Sequence, residues 1–262
     1  MSRVTALALS ILLLAPLGLE AAPIAVRLPE GNVRGFLILR SPEGTVIAHG
    51  ELRQRSRGGG MLESRLTLQW KDGSSYDEMV TFSQDRVFVL HAYRLQERGP
   101  SLPTTDVSFD RQRRHYEARM QETPGGPEKT ASGELECPPD LYNGMALVLL
   151  KNLPTGAAEV QMAAFLPKPR LITMRLAEEG QDGVLIGGLR KTAKRYLVTL
   201  HVGGVAGVVA NLIGKTAPDL RYWFVPGEIP AFVRFQGAMF LHGPVWGIEL
   251  ASVEWPKAEQ TR

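Results

Sequence analysis

Catalytic or metal chemistry in this chain would have to be built from five histidines, one cysteine and a few neighbouring acids. His49, His91, His115, His201 and His242 fall at none of the local spacings, such as HExxH, that bring two imidazoles to one metal. His91 lies between Val89 and Tyr93 and reads as an interior histidine whose hydrogen bonds are met. Asp77 and Glu78 are adjacent acids in an alternating segment. Consecutive strand residues point to opposite faces, so these two carboxylates cannot work as a pair. Glu134 and Glu136 share a face but stand near a loop, where such acids are solvated. No GxSxG nucleophile elbow is present. The sequence therefore offers no catalytic residue, no cofactor site and no metal ligand. It leaves open a hydrolase whose site is assembled from distant residues.

One segment resembles a nucleotide loop. GGVAGVVANLIGKT, residues 203–216, ends in Gly-Lys-Thr, yet the P-loop template requires glycine where Val209 stands. The apolar spacing of Val205, Val208, Val209, Leu212 and Ile213 is helical and precedes Gly-Lys-Thr, which would put the helix C-terminus against a phosphate. The expectation is a turn and short helix over 205–213, with no nucleotide. The uncharged run 197–214 approaches the length of a membrane span, but its first half alternates as a strand and Gly203-Gly204 interrupts it.

The elements that would have to position any site are mostly strands. Alternating segments at 32–40, 45–57, 61–70 and 75–84 are separated by Pro42-Glu43-Gly44, Gly58-Gly59-Gly60 and Asp72-Gly73. Asp-Gly predicts a tight hairpin with positive φ at both turn residues. Further strands are expected at 86–95, 105–109 and 115–121, followed by a polar loop at 123–129. Asp140 then has the character of an N-cap for a helix over 141–153, ended by Pro154 and apolar nearly all round, hence buried. Strands at 159–166, 170–176, 184–186, 195–202, 221–225, 232–241 and 245–253 complete the chain. The fold class expected is mainly β: a large curved antiparallel sheet, half-barrel or β-sandwich-like, with one or two short packed helices.

The N-terminus has the order of a secretory signal. Arg3 precedes the apolar run 4–15, then Pro16, Gly18 and the small residues Ala21-Ala22. The expectation is a signal peptide over 1–21 and a single β-rich domain over 22–262, exported to the periplasm or the medium. The lone Cys137 can form no intrachain disulfide and, beside Pro138-Pro139, reads as a small buried filler. The formal charge of +3 is small, and although Arg53, Arg55 and Arg57 share a strand face, no aromatic residues interleave to stack on bases. That pattern reads as a solvated face, or as one that meets anionic lipid or polysaccharide, and argues against a nucleic-acid reader.

The stretches HGELRQ, DGSSYDEMVTFSQ, PPDLYNGM, PKPRL, HVGGVAGVVANLIGK and GEIPAFVRFQGAMFLHGPVWGIELAS resemble a group of exported bacterial β-rich proteins of unknown function. The resemblance covers most of the chain after the signal and implies export and a β fold. It implies no catalytic residue.

Several strands are apolar on both faces, among them 87–90, 231–235 and 239–241, and must be covered on both sides. Helices 141–153 and 205–213 across the concave side of a curved sheet would cover one of them. A lipid or other apolar or amphiphilic ligand would complete the cover, lined by Trp223, Phe232, Phe240 and Trp246. The other class is a structural or assembly protein of the cell envelope that meets a protein partner.

Overall fold

The computed structural model describes residues 22–123, 125–154, 156–186, 189–201, 219–227 and 230–254. The expected signal segment 1–21 and the Gly203–Thr216 segment, with its expected helix over 205–213, lie outside the described residues. Among the described residues no helix is long and apolar enough to cross a membrane.

Turn chemistry dictates the first half. Strands β1 (Val33–Arg40), β2 (Val46–Gly58), β3 (Met61–Trp70), β4 (Ser75–Gln84), β5 (Phe88–Arg98), β6 (Thr104–Asp110), β7 (His115–Gln121) and β8 (Lys129–Glu134) each pair with the next, antiparallel. The β3–β4 connection differs in kind from the tight hairpin that Asp-Gly predicts. Gly73 alone takes a positive φ, of 87°, the Gly73 amide donates to the Trp70 carbonyl, and Trp70 and Ser74 remain joined. This is the three-residue loop in which a left-handed glycine follows a turn. Strand β8 was not expected; its sequence, KTASGE, has no apolar alternation to mark it.

The second half runs back through β9 (Ala157–Phe165), β10 (Pro169–Ile186), β11 (Leu189–His201), β12 (Leu220–Val225), β13 (Ala231–Ala238) and β14 (Val245–Glu254). Residues expected as two separate strands, 170–176 and 184–186, form the single strand β10. It passes Gly180 with one register shift instead of breaking. Strand β14 pairs with β1, so the described strands form one 14-stranded antiparallel sheet with β8 at one edge and β9 at the other. The sheet does not close into a barrel.

It does roll. Phe165 on β9 stacks on Tyr93 of β5 with 6.5 Å between ring centres and lies 6.0 Å from Tyr116 of β7. One apolar core draws Leu62, Phe82, Leu90, Phe109, Val160, Leu176, Val198 and Phe224 together from strands spread along the whole sheet. Such contacts between distant strands require the inner face to curve round on itself.

A helix fills one end of that curve. Helix α1 spans Ala146–Lys151, shorter than the expected 141–153, and its N-cap is Met145 with no side-chain cap. Asp140 is not the cap. Its carbonyl accepts from the Gln161 amide, the Tyr142 amide donates to the Gln161 carbonyl, and the Asn143 side chain makes two bonds to the Ala163 backbone. Residues 140–143 thereby cover the free edge of β9, which an open sheet would otherwise present for aggregation. Gly144 then turns the chain with a φ of 65° into the helix. Val148, Leu149 and Leu150 are buried in the core, as the all-round apolar sequence requires.

The same end is sealed by the segment after residue 22. The Ile24 carbonyl accepts from Phe88, and the Asn152 side-chain oxygen accepts from the amides of Arg27 and Leu28. The Tyr142 hydroxyl donates to the Phe88 carbonyl at 2.8 Å and accepts from the Ile24 amide at 3.2 Å. Beneath them Lys151 meets Glu30 at 2.6 Å with both side chains nearly enclosed.

Candidate functional site

The inner face has two buried ends and a different middle. At the helix end lies the large core just described. At the other end Trp70, Tyr76, Leu102, Phe235, Trp246 and Ile248 form a second cluster, in which the Trp70 and Trp246 rings are 5.5 Å apart. Leu95, Leu220, Tyr222 and Phe232 pack against both clusters and are only partly buried. Leu66 and Glu78 on the same inner face are also half-buried. Between the two closed ends this apolar strip keeps some accessible surface.

Polar groups converge on that strip. In the antiparallel register Tyr76 stands opposite Glu97 and Val80 opposite Tyr93, so Tyr76, Glu78, Tyr93 and Glu97 share the inner face of β4 and β5. The Tyr93 hydroxyl donates to Glu78 at 3.1 Å. Gly144 presses on the same carboxyl: a Cβ there would stand 3.1 Å from Glu78 Oε1 and 2.5 Å from Val80. Glu97 is 2% exposed, and its Oε1 and the hydroxyl of Thr105, directly across on β6, both lack a well-formed hydrogen bond.

Burial sets the electrostatics. Loss of hydration pushes the Glu78 carboxyl up to about 6, against the lowering effect of the Tyr93 and Tyr76 hydroxyls. Burial pushes Glu97 up to about 7. Thr105 and Arg98 oppose the rise, while the neighbouring charge of Glu78 adds to it. Burial and the same carboxylates drive Tyr76 and Tyr93 well above the ordinary phenol range, and Tyr222 is raised by burial and by Glu78. The phenols therefore stay protonated at neutral pH and serve as hydrogen-bonding groups rather than bases. The two carboxyls exchange protons between about 6 and 7.

Of the residues the sequence nominates as ligand-lining, three share this interior. Phe232 lies in the half-buried strip, 5.9 Å from Phe224, while Phe240 and Trp246 pack together at 5.8 Å in the second cluster. Trp223 faces the other way. It is buried on the outer face with Ala193 and Val233, its indole N–H donates to Asp182 at 2.7 Å, and Arg234 lies over its ring. Alternation on β12 puts Trp223 and Phe224 on opposite faces, and only Phe224 is interior.

Asp77 and Glu78 separate as alternation requires: Asp77 turns outward and binds Arg65 in a two-pronged pair. The partner the sequence reading missed for Glu78 is Glu97. The expected end of β5 at Leu95 put Glu97 outside the strand. Continued by two residues, the Tyr93-Leu95-Glu97 alternation would have placed it on the apolar side.

The other residues that the sequence singles out lie elsewhere. His91 occupies the register shift between Thr81 and Phe82, and its Nε2 lies 2.8 Å from the Ser83 hydroxyl. Burial lowers its pKa, with the Arg111 charge adding to the effect. The half-buried Cys137 thiol donates to the Leu135 carbonyl and is raised by burial. Arg53 and Arg57 are engaged by Glu51 and Glu63. Among the described residues no three His, Cys, Asp or Glu side chains converge as metal ligands. Two shallow depressions of about 270 Å³ lie on the sheet's outer face, one floored by Thr81, Arg94, Ser108 and Glu117, the other by Thr67, Asp77 and Gln96.

No family model and no curated protein matches the chain. Among solved structures it is similar to a β-barrel-like protein of a domain of unknown function from Brucella abortus. The identity is 10% and the TM-score 0.42, covering 87% of this chain and 98% of that one. It is also similar to a "putative lipoprotein" from Parabacteroides distasonis, at 8% identity and a TM-score of 0.31, over 89% of this chain and 100% of the other.

Proposed function

We infer that this is an exported, non-enzymatic envelope protein that holds an amphiphilic ligand, such as a lipid, in the recess of its rolled sheet. The observation that carries the reading is the half-buried apolar strip of Leu66, Leu95, Leu220 and Phe232 beside the two carboxyls of Glu78 and Glu97, both raised by burial. An acyl chain along that strip toward Phe240 and Trp246 gains roughly 0.8 kcal/mol per methylene buried. The tyrosine hydroxyls and the titrating carboxyls suit a cationic or uncharged head group and repel an anionic one.

Native mass spectrometry of the protein purified from its own envelope tests this. The expected result is a bound amphiphile that is lost when Leu220→Trp fills the strip. Wild-type protein that carries nothing, and takes up no added amphiphile, refutes it in favour of an envelope scaffold. N-terminal sequencing of the same material checks export: the chain is expected to begin at Ala22.

A further inference from the structure

The β10–β11 hairpin is longer than its neighbours need. Strand β9 leaves β10 at Ala177, and β12 leaves β11 at Lys194, opposite Gln181. Beyond that point five residues of β10, Asp182–Ile186, pair only with Leu189–Ala193. At about 3.3 Å per residue this is a two-stranded ribbon roughly 17 Å long that pairs with no further strand among the described residues. The residues that would close it, Gly187 and Gly188, lie outside the described residues.

The ribbon is steadied along one face, while its two leucines near the tip are bare. Val184 and Ile186 pack toward Ala193, Trp223 and Val233. Arg195 is tied to Glu179 and Asp182, and Lys194 to Glu178. Leu185 and Leu189, by contrast, are 73% and 64% exposed, the two most exposed large apolar side chains among the described residues. Directly behind them Arg190 and Lys191 are exposed and have no acidic partner among the described residues. The register distributes these groups over both faces. Leu185 stands opposite Arg190 on one face, while Leu189 and Lys191 stand opposite Ile186 and Val184 on the other.

Apolar side chains at an extreme tip with unpaired cations one or two residues behind them match the layered chemistry of a lipid surface. There, acyl carbon lies a few ångströms below a layer of anionic phosphate. A protein groove would instead favour an apolar stripe along one face, and a solvated hairpin would need no leucine at its tip. We propose that this hairpin docks end-on to an anionic membrane surface, with Leu185 and Leu189 entering the interface and Arg190 and Lys191 meeting the head groups. This surface is separate from the interior recess, and its test does not depend on what the recess holds.

The test attaches an environment-sensitive fluorophore at Leu185→Cys in a Cys137→Ser background, with a control label at Thr130→Cys on the exposed edge strand β8. Vesicles of equal parts phosphatidylglycerol and phosphatidylcholine are added. The expected result is a blue shift at position 185 and none at 130, weakened by raised salt and absent with pure phosphatidylcholine. Arg190→Ala and Lys191→Ala should each raise the lipid concentration for half-binding about fivefold, and Leu185→Ser with Leu189→Ser should abolish sedimentation of the unlabelled protein with vesicles. No shift at 185, an equal shift at both sites, or binding indifferent to the two cations overturns the proposal. A shift produced only by a vesicle-free envelope extract also overturns it and makes the tip a protein-binding surface.

Discussion

Replacing Glu97 with glutamine removes a charge whose burial Arg98 and Thr105 only partly offset, at almost constant shape. The carboxyl is raised from 4.5 to about 7, chiefly by burial. A folded-state pKa above the unfolded value means that between these limits the unfolded chain has released its proton while the folded one keeps it. Stability from this group is therefore fully present below about 4.5, falls as pH rises through the window, and is lost above about 7. A rise of that size corresponds to about 3 kcal/mol. Glu78, raised to about 6 on the same face, acts in the same sense with a smaller magnitude. Wild-type protein should therefore melt at a lower temperature at pH 8 than at pH 5. Glu97→Gln should match wild type at pH 5 and exceed it at pH 8, by roughly 6–12 °C for a domain of this size. Thermal unfolding followed by circular dichroism from pH 4.5 to 8 reads both curves. If Glu97→Gln is the less stable protein at pH 8, or if the difference between the two is the same at every pH, Glu97 has a compensating partner and the electrostatic account of the recess is wrong.

Leu149→Asp, at a position with no exposed surface in the helix-end core, should cost on the order of 5 kcal/mol; an unchanged urea midpoint would show that the helix is not core. Lys151→Met leaves Glu30 enclosed without its cation, for a loss of about 3–5 kcal/mol at pH 7, and adding Glu30→Gln should recover part of it. Chemical denaturation of the single and double variants measures this, and a loss below about 1 kcal/mol for the single variant would count against it. Tyr142→Phe strips the partner from the Phe88 carbonyl and the Ile24 amide and should cost about 1–3 kcal/mol. Hydrogen exchange at Ile24 should quicken with it, and unchanged protection would mean that another group replaces the hydroxyl.

Local periodicity carries the strand reading because it is a property of neighbouring residues. Strands 61–70, 75–84 and 115–121 coincide with their expected bounds, since alternation and a turn signal at each end need no distant information. Asp77 and Glu78 fall on opposite faces for the same reason. What alternation cannot carry is which distant strand supplies the covering atoms. Residues 141–143 follow Asp140 as a helix start would, but Tyr142 and Asn143 are tied by hydrogen bonds to β9, whose edge they cover. The pairing of β14 with β1, the rolling of the sheet and the isolation of Trp223 from Phe232 on opposite faces are likewise set by long-range contacts. The candidate site follows the same division. Glu78 could be assigned to a face from its own strand. Its meeting with Glu97, Tyr93 and Tyr222, and the raised pKa values that follow, exist only because the sheet curves and removes water from between them.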